Sequence, residues 1–181
     1  MTDLSLLIRA VDFAANKHRD QRRKDIHTSP YINHPIRVAH ILSDIGMVND
    51  VEVLMSAVLH DTVEDTETTL NEIEDIFGKK VAEIVAAVTD DKTLSKAERK
   101  KLQLEHASTI SAEGALVKIA DKISNVTDIA NNPPQGWSDE RRREYLNWAE
   151  QVVNNCPKVN TLLEEHFAKI LATARNRLGI G

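Results

Sequence analysis

Ser56-Ala57-Val58-Leu59-His60-Asp61-Thr62-Val63-Glu64-Asp65-Thr66 joins the end of an apolar helical stripe to a cluster of acids. Upstream, Asp50 can cap a helix on which Val51, Leu54 and Val58 recur at helical period and lead into the His60-Asp61 doublet. Successive helical residues point about 100° apart, so an adjacent His and Asp normally serve different neighbours. A divalent cation gathers both, because imidazole nitrogen and carboxylate oxygen are both ligands. Glu64 and Asp65 follow about one turn on, if the helix persists. The stretch therefore reads as a helix-borne metal site with acid–base groups beside it, and its chemistry as metal-assisted hydrolysis.

The same period extends in both directions. Leu4, Leu7, Ile8, Val11, Ala14 and Ala15 form one stripe, continued by His18. Pro35 fits the first turn of a second helix, with Val38, Ile41, Leu42 and Ile45 inside and Gly46 at its end. Beyond the doublet, Thr69 and Glu72 read as a capping box for a short helix that stops at Gly78, and Val81, Ile84, Val85 and Val88 mark the next. Ser95 and Glu98 form a second box, opening a charged helix to about Ser108. Leu116, Ile119, Ala120, Ile123 and Val126 place Asp121 within a helix. Ser138 caps a helix bearing Tyr145, Trp148, Ala149 and Val152, and Thr161 with Glu164 reads as the cap of the last. Two segments read as irregular: residues 25–33, and the breaker cluster Asn131-Asn132-Pro133-Pro134-Gln135-Gly136. No alternating strand pattern and no repeat emerges. The expected fold is all-α, a single domain over residues 1–181 with roughly eight to ten helices around one metal site.

Composition bounds the function. With 181 residues, 41% hydrophobic and 28% charged, the chain is an ordinary globular one. No apolar run approaches the ~20 residues that span a bilayer. The start, Met1-Thr2-Asp3-Leu4, lacks a basic region followed by an apolar one, so no signal peptide is expected. Cys156 is the only cysteine, which rules out an internal disulfide and fits a reducing cytoplasm. A net charge of −5 argues against broad nucleic-acid binding. A cytoplasmic protein without membrane or nucleic-acid partners is expected, with homo-oligomerisation left open.

A hydrolytic metal site needs about three or four protein ligands and a position for water. His60 and Asp61 supply two. His34 stands at a loop-to-helix junction before Pro35, and Asp121 is a carboxylate inside an apolar stripe, where burial is costly unless it is paired or metal-bound. Each alone has a plainer reading: His34 as a capping or core histidine, Asp121 as one half of an ion pair. Their combination with the doublet carries the signal.

His34, His60-Asp61 and Asp121, in this order and spacing, resemble the pattern of HD-domain phosphohydrolases. Arg22-Arg23-Lys24-Asp25, Pro30-Tyr31-Ile32-Asn33-His34-Pro35, His60 to Thr66, and Ala120-Asp121-Lys122-Ile123-Ser124-Asn125 together resemble the hydrolase domain of the RelA/SpoT family. The whole chain looks like its stand-alone form, the small alarmone hydrolases and the metazoan SpoT homologue. One departure stands at Thr127, where relatives commonly carry Arg.

The resemblance implies hydrolysis of the 3′-pyrophosphate of guanosine tetra- or pentaphosphate, the alarmones of the stringent response, to GDP or GTP and pyrophosphate. It implies one divalent ion, manganese, on His34, His60, Asp61 and Asp121; a mixed N/O set without thiolate suits that metal and also admits zinc, iron or cobalt. It assigns Glu64 to orienting or deprotonating the attacking water, with Asp65 in support. Against this stands the plain reading of both as a solvated acidic helix end. Arg23 and Lys24 should face the phosphates, by resemblance. Tyr31 can stack on or border the purine, and Asn125, one turn after Asp121, can bind ribose or phosphate. Lys96 and Arg141 are further basic candidates that read equally well as surface. Arg19, Arg22, Lys100, Lys101, Arg142 and Arg143 read as solvated, His18 as a core histidine, and Trp137 and Trp148 as packing; His40, His106 and His166 lack a partner pattern. Two other functions compete: a broader nucleotide phosphatase acting on NADPH or deoxynucleotides, and a metal-bound nucleotide sensor without turnover. Retention of Glu64 and Asp65 argues against the sensor.

Overall fold

The computed structural model describes residues 2–179, and the apolar stripes become ten helices among them. They are α1 (Asp3–Lys17), α2 (Asn33–His40), α3 (Val51–Leu59), α4 (Thr62–Asp65), α5 (Leu70–Phe77), α6 (Lys79–Val88), α7 (Lys96–Ala107), α8 (Ala112–Asn131), α9 (Asp139–Asn155) and α10 (Thr161–Arg177). The only β pairing among the described residues is an isolated antiparallel bridge between Arg22 and Pro30. Among the described residues, no helix is long and apolar enough to cross a membrane.

Side-chain oxygens at the predicted caps take up orphan amides and set where helices begin. Asp50 accepts from the Glu52 and Val53 amides at 2.8 and 3.3 Å. Ser95 and Glu98 form the full reciprocal box. At α5 the box is only half made. Thr69 caps the Glu72 amide, but the Glu72 carboxylate turns to Lys17 of α1 at 2.9 Å, an ion pair across two helices. The last helix starts one position earlier than its sequence pattern implies. Asn160, not Thr161, is the cap; its oxygen accepts from the Leu163 amide at 3.1 Å while its Nδ2 donates to Gly46 O at 2.8 Å. That second bond ties α10 to the end of α2, which widens into a π-helical turn over Ile41–Ile45.

Packing explains why two helices carry the chemistry. In α8, Val117, Ile119, Ala120, Ile123 and Val126 are buried, and this helix packs on α2, α3, α6, α9 and α10. In α3, every residue from Met55 to Leu59 is buried, between α1, α2, α6 and α8. Burying one such Leu or Ile contributes about 1.5–3 kcal/mol. Side chains at the end of α3 and in the middle of α8 are therefore held on rigid supports.

The helix does not run through the doublet. It ends at Leu59, His60 and Asp61 form a turn, and α4 restarts at Thr62. Thr62 Oγ1 donates to Leu59 O at 2.6 Å where the backbone ladder stops. Glu64 and Asp65 are neighbours on α4, so their side chains point about 100° apart and meet different surroundings. The two irregular segments also meet: the Gln135 amide donates to Lys24 O at 2.8 Å, so residues 18–32 and 132–137 build one wall together.

Candidate active site

His34 Nε2, His60 Nε2 and an Asp121 oxygen converge, with these three ligating atoms within 4.8 Å of one another. His34 enters from the first turn of α2, His60 and Asp61 from the turn after α3, and Asp121 from mid-α8. Asp61 Oδ2 lies 3.1 Å from His60 Nε2 and 3.7 Å from His34 Nε2. Asp121 Oδ1 lies 3.1 Å from His34 Nε2 and 3.8 Å from His60 Nε2.

Neighbouring groups orient these side chains. His60 Nδ1 is 2.8 Å from Ala57 O, which can only accept, so Nδ1 carries hydrogen and the neutral ring presents a lone pair at Nε2. His34 Nδ1 lies 3.1 Å from Ser124 Oγ, leaving Nε2 toward the carboxylates. Tyr31 donates its phenolic proton to Asp61 Oδ2 at 2.7 Å. Asn125 Nδ2 and Lys122 Nζ donate to the two Asp121 oxygens at 2.7 and 2.9 Å.

This arrangement fits a divalent ion. His60 Nε2 is buried and has no hydrogen-bond partner. A lone pair facing carboxylates is repulsive unless a proton or a cation lies between them. In the metal-free molecule a proton does this: burial opposes charge on His60, but Asp61 and then Asp121 outweigh it and push the imidazole up to about 9. Burial dominates at His34 and lowers its pKa despite Asp121. Asp61 and Asp121 are held below the ordinary carboxylate range against their burial, by His60 and by Lys122 respectively. Two imidazole nitrogens and a carboxylate oxygen, with no thiolate, form a donor set for a hard or borderline divalent cation; His34, His60 and Asp121 could hold it, and Asp61 lies beside them outside that three-residue cluster.

Glu64 and Asp65 occupy different places. Glu64 lines a pocket of about 50 Å³ with His60, Asp61 and Asp121. Its carboxylate accepts from the Asp90 amide at 3.2 Å and from Arg99 at 3.3 Å. Burial, and then the charges of Asp61 and Asp90, push Glu64 up to about 7, the range of a general base working near neutrality. Asp65 instead borders the main cleft, ion-paired to Lys92 and accepting from Gln21 at 2.9 Å.

That cleft, about 410 Å³, gathers Arg23, Lys24, Tyr31 and Asn125 with Trp137 and Tyr145. Arg23 is ion-paired to Asp128, an acid that Arg37 also reaches. The Tyr31 ring packs on His18, with centroids 5.0 Å apart, and lies under the Arg23 guanidinium. Lys96 and Arg141 do not line this cleft. They line an adjoining recess of about 240 Å³ that shares Trp137 and Tyr145 with it. Arg141 sits 4.3 Å and Lys96 5.6 Å from the Trp137 ring centre. Trp137 thus forms a wall common to both spaces, beyond the packing role its sequence context offers. Thr127 turns its hydroxyl back to Ile123 O at 2.7 Å. Sequence reasoning did not single out Gln21, Lys92, Arg99 or Lys122. Lys122 adjoins Asp121 and was findable as its counter-charge; Arg99 comes from 35 residues beyond Glu64, with no local signal.

The chain is similar to known proteins in sequence and in fold. The HD domain model matches residues 10–148. The guanosine-3′,5′-bis(diphosphate) 3′-pyrophosphohydrolases MESH1 of Danio rerio and Homo sapiens are both 52% identical to this chain, over 92% of each chain for the fish protein and over 91% of this chain and 92% of the relative for the human one. The bifunctional (p)ppGpp synthase/hydrolase SpoT of Escherichia coli is 36% identical over 72% of this chain and 18% of its own length. A solved structure of a metazoan orthologue of SpoT, described as hydrolysing ppGpp and acting in starvation responses, superposes with a TM-score of 0.90 at 43% identity over 97% of both chains. By sequence, by fold and by its clustered histidines and aspartate, the chain belongs to the HD-domain family, among the MESH1-type 3′-pyrophosphohydrolases.

Proposed function

We propose that the chain is a single HD-type phosphohydrolase domain that removes the 3′-pyrophosphate from guanosine tetra- and pentaphosphate, giving GDP or GTP and pyrophosphate. The observation that carries this reading is the convergence of His34, His60 and Asp121 beside Glu64, next to a cleft bearing Arg23 and Lys24. In this reading His34, His60, Asp61 and Asp121 would hold one divalent ion, manganese, which would supply Lewis-acid polarisation of a phosphoryl oxygen and a lowered pKa for a water.

The chain's own groups do the rest. Glu64, kept near neutrality by burial and held by Arg99 and the Asp90 amide, takes the proton of the attacking water on its carboxylate. Asp65, tethered by Gln21 and Lys92, supports it from the cleft side. Tyr31 and Asn125 hold Asp61 and Asp121 in place, and both border the space where the purine and ribose would sit. Arg23 and Lys24 neutralise phosphate charge, and Lys96 with Arg141 receives the far end of the nucleotide over Trp137. For Arg23 this requires exchanging Asp128 for phosphate. A cytoplasmic location and the absence of a nucleic-acid partner belong to the same reading, supported by the net charge of −5 and the buried free Cys156.

The test is a substrate panel. Manganese-loaded protein should release pyrophosphate stoichiometrically from guanosine tetra- and pentaphosphate. No turnover by fully metallated protein sinks the proposal, and preferential release of single phosphate from NADPH replaces it with the broader phosphatase.

A further inference from the structure

His18, at the C-terminal cap of α1, is only 2% exposed and belongs neither to the metal cluster nor to the cleft lining. Its Nδ1 lies 2.6 Å from Gln21 Oε1, and Gln21 Nε2 donates to Asp65 Oδ2 at 2.9 Å. The direction of this chain is fixed from its far end. Carboxylate oxygens accept, so Gln21 turns its NH₂ group to Asp65 and its oxygen to His18. That oxygen can only accept, so His18 Nδ1 carries the hydrogen and donates it. The Gln21 backbone is pinned as well: its amide donates to His18 O at 2.9 Å, and its carbonyl accepts from the Tyr31 amide at 3.1 Å. The imidazole also backs the Tyr31 ring, whose hydroxyl donates to Asp61.

The second imidazole nitrogen shows what a histidine costs at this position. His18 Nε2 is sealed from solvent and has no hydrogen-bond partner. A buried polar atom left unpaired is destabilising, so packing alone would favour an apolar side chain of similar size. What an apolar chain lacks is the Nδ1–H that holds Gln21. Asp65 depends on that hold. Its other oxygen is ion-paired to Lys92, whose side chain is half exposed and therefore a weak tether. The Gln21 bond is the one anchored inside the fold. We propose that His18 is a positioning residue for the hydrolytic reaction: through Gln21 it fixes the Asp65 carboxylate at the edge of the cleft. This role rests on the hydrolase reading, in which Asp65 supports Glu64.

Steady-state hydrolysis of guanosine tetraphosphate by manganese-loaded protein tests the role. His18→Leu should lower kcat about tenfold with KM within about twofold, because the lost bond orients an acid and binds no substrate. His18→Asn, whose Nδ2 stands where Nδ1 stood, should recover most of the loss. In an Asp65→Ala background, His18→Leu should cost nothing further, since its route to the reaction is already cut. Gln21→Met should likewise lower kcat with Asp65 present and have no effect without it, and it replaces His18→Leu should that variant not fold. Nitrogen-15 spectra of protein loaded with diamagnetic zinc supply a readout that needs no turnover. The imidazole signals lost in His18→Leu should be those of an Nδ1–H tautomer, and the Gln21 side-chain amide should shift in His18→Leu and Asp65→Ala alike. Unchanged kcat in His18→Leu or Asp65→Ala, no recovery in His18→Asn, equal losses with and without Asp65, or an Nε2–H tautomer leaves His18 a packing histidine and overturns the proposal. If the hydrolase reading alone fails, the parent does not turn over guanosine tetraphosphate, yet the tautomer and the coupled Gln21 shift still mark His18 as the residue that holds Asp65.

Discussion

Glu64 works against its surroundings: burial and the charges of Asp61 and Asp90 raise its pKa to about 7, while Arg99 and the Asp90 amide hold the carboxylate in place. Gln keeps that shape and loses the proton acceptor. Glu64→Gln should retain bound metal, measured by elemental analysis, and lose about 10²-fold or more in kcat. Loss of metal would make Glu64 a ligand instead. The same residue sets a pH dependence. Base catalysis needs the carboxylate, so kcat/KM should rise with pH through a midpoint at or below about 7, because cation binding offsets the Asp61 charge. The limb should vanish from the residual activity of Glu64→Gln. At this scale the sequence was readable where one residue type at a set spacing has few alternatives. His34, His60 and Asp121 stood out because a histidine before a helix-starting proline and an acid within an apolar stripe both need an explanation. Arg99, Gln21 and Lys92 did not, because surface-type residues on separate segments acquire meaning only when folding brings them to Glu64 and Asp65.

Between elements, a single side chain fastens α10 to α2. Asn160 caps the Leu163 amide and donates to Gly46 O, and Gly46 is a glycine because a Cβ there would lie 2.8 Å from Leu42 O and 3.1 Å from Leu163. Asn160→Ala should cost about 1–2 kcal/mol in urea unfolding, with Asn160→Ser recovering part through the retained cap. Gly46→Ala should cost about 1–3 kcal/mol by overpacking. Equal stability of both variants and parent would mean that the α2–α10 junction is loose. These positions also mark where the sequence was less informative. The helix stripes and the Asp50, Ser95 and Ser138 caps were legible because capping and 3.6-residue periodicity are local. The shift of the last cap to Asn160 was not, because its second bond goes to a residue 114 positions away. The break at His60-Asp61 was not legible because helix-compatible residues continue through it; in the structure Thr62 Oγ1 takes up Leu59 O where the ladder ends.

For the whole molecule, the metal centre is a set of buried charges that the fold neutralises in two alternative ways. Without metal, His60 holds an extra proton between Asp61 and Asp121, and Lys122 balances Asp121. Chelation should therefore lower the melting temperature without unfolding the protein. A ligand at about a hundred times its dissociation constant adds about 2.7 kcal/mol, so manganese should raise the melting temperature in a concentration-dependent way, and Asp121→Ala should abolish the rise. The two states answer pH differently. His60 in the folded, metal-free protein is raised to about 9, above its ordinary value. The stability this contributes is fully present below about 6.5 and is lost as pH rises through the folded value. Asp61 and Asp121 are shifted downward, so their contribution is present above the ordinary carboxylate range and is lost only in acid. Metal ligation needs neutral His60, so raising pH removes a proton that competes with the ion. The gap in melting temperature between manganese-loaded and chelated protein should accordingly widen from pH 6.5 to about 9, measured by scanning calorimetry at fixed free metal. A gap that stays constant or narrows would show that His60 does not exchange its proton for the ion, and would remove it from the ligand set.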